Sequence, residues 1–64
     1  MYIVREKATG KDRYIFSNPC FAESMSRQIE MIEGIDIDIV ECSLDALSDA
    51  QKSMVDSIFY YVMT

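Results

Sequence analysis

Between Ile35 and Ile39 apolar and acidic residues alternate without a break, Ile-Asp-Ile-Asp-Ile. A period of two marks a strand with one covered face, so Ile35, Ile37 and Ile39 are expected to face a core and Asp36 and Asp38 to face out. Val40 falls on the aspartate side and interrupts the pattern, which predicts either a second partly covered surface or a bulge. Tyr2–Glu6 and residues 12–17 read as two further strands, joined by a turn at Ala8-Thr9-Gly10 in which Gly10 supplies a positive φ. Ile3 and Ile15 belong to one side of this hairpin; Tyr2, Val4, Tyr14 and Phe16 belong to the other. Neither side is polar, so both are expected to need cover.

The apolar period changes after Asn18-Pro19. Asparagine can accept a bond from the open amides of a first helical turn, and proline at the first helical position loses nothing. Ala22, Met25, Ile29 and Ile32 then recur at three- and four-residue steps and predict one apolar stripe. Glu23 and Arg27 are spaced for an i,i+4 pair on the outside, and Gly34 stands where a left-handed residue ends a helix. Further on, Ser48-Asp-Ala-Gln51 has the form of a capping box. It predicts a second helix from Asp49 towards the chain end, with Leu47, Met54, Val55, Ile58, Phe59 and Val62 as its apolar stripe and Asp49, Lys52, Ser53 and Asp56 as its wet face. A strand over residues 58–64 is the alternative, since those residues are good strand formers.

The order β-β-α-β-α predicts one small α+β domain over residues 1–64. Pairing the third strand with the first gives a fully antiparallel sheet in the order 2-1-3, with the helices packed on it. A chain of 64 residues buries only about 60% of the surface its unfolded state exposes, which leaves little room for both a core and an enclosed active site. Half of the residues are apolar or aromatic, enough to fold but also enough to want a partner surface.

Charge adds what periodicity cannot. Arg5, Lys7, Lys11 and Arg13 are four of the six bases, and all lie in the first strand, its turn and the returning strand. From Gln28 to Gln51 there is no base, while Glu30, Glu33, Asp36, Asp38, Glu41, Asp45 and Asp49 follow one another. The expected result is a negative field around the first helix's exit and the third strand, which selects basic partners and repels nucleic acid. Glu30 and Glu33 sit in the last helical turn, where the macrodipole is already negative. Acids there cost a few tenths to about 1 kcal/mol each, so a sequence shaped for stability alone would put bases at those positions.

Catalytic chemistry finds little to work with. There is no histidine, and Gly10 and Gly34 are the only glycines, so no phosphate-cradling loop or dinucleotide fingerprint can be built. Seven serines include no nucleophile elbow. Cys20 and Cys42 cannot by themselves complete a zinc site and are expected to be packed, reduced thiols of a cytoplasmic protein, with a single disulfide between them as the alternative. The Asp36-x-Asp38 pair lacks the glycine of a calcium loop. No cofactor, metal or catalytic residue is expected. No signal peptide is expected from the first residues, and the longest apolar run, residues 58–63, is too short to span a membrane.

Three functional readings follow. The first is a non-catalytic protein-binding module, with an inhibitor as its specific form, that presents Glu30, Glu33, Asp36, Asp38 and Glu41 to a basic, nucleic-acid-binding protein surface. The second is a homodimeric structural or assembly protein using an aromatic patch at Tyr60, Tyr61 and Met63 on the last helix. The third is nucleic-acid binding by Arg5, Lys7, Lys11 and Arg13 on the hairpin, which the net charge of −5 opposes. In size and acidity, though in no residue motif, the chain resembles the small inhibitors that phages encode against host enzymes and defence complexes, anti-CRISPR proteins and nucleic-acid mimics among them. That resemblance implies the first reading and carries over no functional residue.

Overall fold

The sheet is built around its first strand. In the computed structural model, which describes residues 1–58, β1 (Tyr2–Glu6) lies between β2 (Asp12–Phe16) and β3 (Ile37–Glu41), antiparallel to both, in the order β2-β1-β3. Its two faces are both covered, as the lack of a polar face predicts. Val4, Phe16, Ala22 and Ile29 form one buried cluster beneath α1 (Pro19–Glu33), and Ile3, Ile15 and Leu47 form a second on the opposite face, under α2 (Asp49–Met54) and its flanks. The expected α+β architecture and sheet order are both present.

A register shift between β1 and β2 decides where the charges go. Ile3 pairs with Ile15 and Val4 with Tyr14; an unbroken register would then set Arg5 opposite Arg13. Instead Arg5 pairs with Asp12, and β2 carries one extra residue. The bulge replaces a cross-strand repulsion with an attraction. It sends Asp12 to Arg5 and frees Arg13 to reach the other side. The predicted bulge near Val40 is not found; β3 keeps a regular register with β1, and Val40 packs into the second cluster. The break in alternation thus reflects a second covered surface.

Helix α1 is bounded as its sequence predicts. The Asn18 side-chain oxygen accepts the Cys20 N–H at 2.8 Å, and Gly34, at φ 68°, donates its N–H to the Glu30 carbonyl at 3.0 Å. Its stripe is corrected at one end. Ala22, Ser26 and Ile29 are buried, but Ile32 is 80% exposed and the neighbouring Met31 84%. The line through residues 22, 26 and 29 continues to position 33 on a 3.6-residue repeat, so Glu33, and not Ile32, faces the sheet side in the last turn. Glu23 and Arg27 are both exposed and form no ion pair among the described residues. Ile35 and Ile37 pack half-buried against the α1 cluster, whereas Ile39 is 39% exposed at the sheet edge.

The second helix starts as expected and stops early. The Ser48 hydroxyl accepts the Gln51 N–H at 3.2 Å while Gln51 Oε1 accepts the Ser48 N–H at 2.8 Å, closing the capping box. The expected continuation ends at Met54. Val55 instead forms a parallel bridge with Ile15, and Asp56, at φ 52°, donates its N–H to the Ile15 carbonyl at 2.8 Å. Its carboxylate accepts from the Ser17 N–H at 3.1 Å and the Ser17 hydroxyl at 2.6 Å. A longer helix would leave the carbonyl of buried Ile15 without a donor, and an unpaired buried carbonyl costs more than a few helical residues gain. Ser57 and Ile58 are helical again; of the expected alternatives, helix or strand over residues 58–64, the part over residues 59–64 lies outside the described residues. No helix among the described residues is long and apolar enough to cross a membrane.

Candidate functional site

The five acids singled out from the sequence fall into two groups. Glu30 and Glu33 stand one turn apart at the exit of α1; Asp36, Asp38 and Glu41 lie along β3 and its lead-in. The first group is not the uncompensated cluster expected. Arg13, turned towards α1 by the bulge, forms a two-pronged pair with Glu33 (Nη1–Oε1 2.9 Å, Nη2–Oε2 2.7 Å) and also donates to Glu6 Oε2 at 3.0 Å. This pairing holds the Glu33 carboxyl below its ordinary range. Glu6 is held down as well, first by the Thr9 hydroxyl and then by Arg13, and the arginine is itself raised. The expectation that no cation neutralises this region is therefore corrected at Glu33. Bases and acids separated along the chain meet because the hairpin folds back beside the helix end.

The second group keeps its charge open. Asp36, Asp38 and Glu41 are exposed, and none of them forms an ion pair among the described residues. Arg5 lies directly across from Asp38 in the register, yet its Nε donates to Asp12 Oδ1 at 2.6 Å on the other side. Gln51 Nε2 donates to the second Asp12 oxygen at 2.9 Å. Asp12 thus competes successfully for Arg5, and its pKa is lowered chiefly by that bond. Lys7 neighbours Asp36 through a backbone bond, Lys7 N–H to Asp36 O at 3.0 Å, and its ammonium makes no pair among the described residues.

Beside these carboxylates runs an open strand edge. Met1 and Cys42 exchange two bonds in ladder geometry, the Met1 ammonium donating to Cys42 O at 2.7 Å and the Cys42 N–H to Met1 O at 2.9 Å. In an antiparallel ladder such pairs recur every second residue, so Val40, Asp38 and Asp36 also turn their backbone groups to β1. The N–H and C=O groups of Ile37, Ile39 and Glu41 then point outward. Side chains alternate with them. Asp36 and Asp38 rise on the Val40 face, while Ile37, Ile39 and Glu41 rise on the α1 face.

Of the hairpin bases, Arg5 and Arg13 are committed to carboxylates, and Lys7 and Lys11 stand exposed at the tip. Tyr60, Tyr61 and Met63 lie outside the described residues. Cys20 and Cys42 are free thiols; Cys42 is half-buried, but Cys20 is exposed on the first turn of α1, so the expected packing is corrected there. Among the described residues there is no pocket and no group of thiols and carboxylates close enough to hold a metal ion. Sequence reasoning missed the open edge, the tie from Asp12 to Gln51 and the exposed Met31–Ile32 pair. A signal for the bulge was available, since matching Ile3 with Ile15 sets two arginines face to face. No protein-family model matches the chain, and neither a curated protein nor a solved structure is found to be similar to it.

Proposed function

We propose that this chain is a small, non-catalytic, cytoplasmic protein-binding module that engages a basic protein surface through its carboxylates. The observation that carries this reading is the exposure of Asp36, Asp38 and Glu41 along one strand without a cation on any of them among the described residues. Within it, the phage-type inhibitor is the specific form. Carboxylates that occupy the phosphate sites of a nucleic-acid-binding protein would block it by competition. The partner-binding set is led by Asp36, Asp38 and Glu41, with Glu30 beside them and Glu33 already held by Arg13.

The test is capture of basic proteins at two salt concentrations with the native chain and with Asp36→Asn, Asp38→Asn, Glu41→Gln combined. The native chain should retain a partner that is released at high salt, and the triple variant should not. Retention of the same partner by both proteins, indifferent to salt, would remove this reading. A homodimeric assembly protein is the second reading, and the exposed Met31–Ile32 pair favours it. Sedimentation over a wide concentration range separates the two. Nucleic-acid binding by the hairpin has the least support, because Arg5 and Arg13 are bonded to carboxylates.

A further inference from the structure

We propose that the outer edge of β3 takes up an extended basic segment of a partner protein as a fourth strand of the sheet; this rests on the acidic-binding reading above and specifies its mode. Three independent features of the edge point the same way. First, the outward N–H and C=O groups of Ile37, Ile39 and Glu41 have no partner among the described residues, and strand addition supplies one to each. Second, the edge has none of the usual blocks to pairing except charge. It is regular, carries no proline, bulge or lysine, and nothing among the described residues lies over it, whereas the β2 edge is closed by Val55 and Asp56. Third, its side chains set a two-residue code. Ile39, partly exposed on the α1 face, calls for an apolar neighbour. Asp36 and Asp38, on the opposite face, call for lysine or arginine. A strand in which basic and apolar residues alternate meets both demands at once.

Charge complementarity also decides against a second copy of this chain. Pairing β3 with β3 would bring Asp36, Asp38 and Glu41 of each copy to one seam with no base between them. If Ile39 met Ile39, Asp38 would sit beside Val40 of the other copy, with no base to pair it. The carboxylates that keep the edge from pairing with itself are the groups a basic strand would neutralise.

The experiment uses the full chain and capped synthetic peptides of roughly seven residues. One alternates lysine and valine. A second has the same composition in two blocks. A third is the alternating peptide N-methylated at every amide on one edge, prepared in both registers. Binding is followed by titration at low and high salt, and by amide hydrogen exchange of the protein. The expected result is salt-sensitive binding of the alternating peptide and slowed exchange at Ile37, Ile39 and Glu41. The block peptide and at least one N-methylated register should lose about tenfold or more, the loss of two or three backbone bonds. Ile39→Pro removes an outward N–H without touching the β1 ladder and should weaken binding similarly, with circular dichroism to check the fold.

If all basic peptides bind equally in a salt-sensitive way and the three amides do not slow, strand addition is overturned and the acidic-binding reading stands. If no basic peptide binds up to millimolar concentration, both fall. If the three amides are protected in the protein alone at high concentration, the occupant is a second copy and the proposal is overturned.

Discussion

The two edges of this sheet have the same kind of backbone and opposite fates. At β2 the chain comes back to cover its own edge: Val55 bridges to Ile15, the Asp56 N–H takes the Ile15 carbonyl, and the Asp56 carboxylate takes Ser17. At β3 the outward groups of Ile37, Ile39 and Glu41 have no partner among the described residues, and carboxylates line them. A sheet edge left open is a liability unless something prevents indiscriminate pairing. Here one edge is protected by covalent continuity and the other by charge, and only the second kind of protection can be lifted by a partner.

The contrast is broken most severely from the covered side. Ile15 is almost fully buried beneath α2, and Ile15→Ala should cost about 2–5 kcal/mol, a large share of what a domain of this size has. Ile39→Ala, at the open edge, should cost less than about 1 kcal/mol. Urea denaturation of the two variants measures both, and equal losses would mean the edges are not different in kind. Next in size is Asp56→Ala, which loses two bonds to Ser17 and puts alanine at a left-handed φ; about 1–3 kcal/mol is expected. Asp56→Gly loses the same bonds without the steric strain, so it should be the milder change, and the difference between the two reads the backbone term.

Smaller still is Arg13→Gln. It should lower the denaturation midpoint less than the Asp56 variants do, because the pairs it breaks are solvent-screened. It also releases Glu33, so binding of a basic peptide should tighten a few-fold, and unchanged binding would show that the helix exit lies outside the site. The smallest effect is on pH. Asp12, Glu6 and Glu33 all have folded-state pKa values depressed by their partners, so the stability they contribute is present above their unfolded values of about 4 and is lost as pH falls through the folded ones. Acid titration of the fold should show this loss below about pH 4, and Arg13→Gln should flatten it.

How much of this was legible beforehand varies with the kind of signal. The bounds of α1 were written in Asn18, Pro19 and Gly34, because caps act within a few residues of themselves. The strict alternation at Ile35 to Ile39 located β3, and the mixed faces of the hairpin required cover on both sides. Ile32 misled because a stripe at three- and four-residue steps does not say where the sheet beneath the helix ends. The acidic region was half legible. Asp38 and Glu41 remain open as their run of like charge suggests, but Glu33 is paired across twenty residues by an arginine whose direction depends on a bulge.

By itself, then, the sequence determined the three strands, the first helix, the start of the second and the sheet's arrangement, but not where the second helix breaks off at Met54, since periodicity, caps and turn residues act over short distances and leave few ways to combine three strands with short connections. The tertiary structure decided which edge is closed and which carboxylates remain unpaired among the described residues. Both depend on meetings between distant residues, Asp56 with Ile15 and Ser17, and Arg13 with Glu33, and such meetings are settled by competition for partners once the strands have come together.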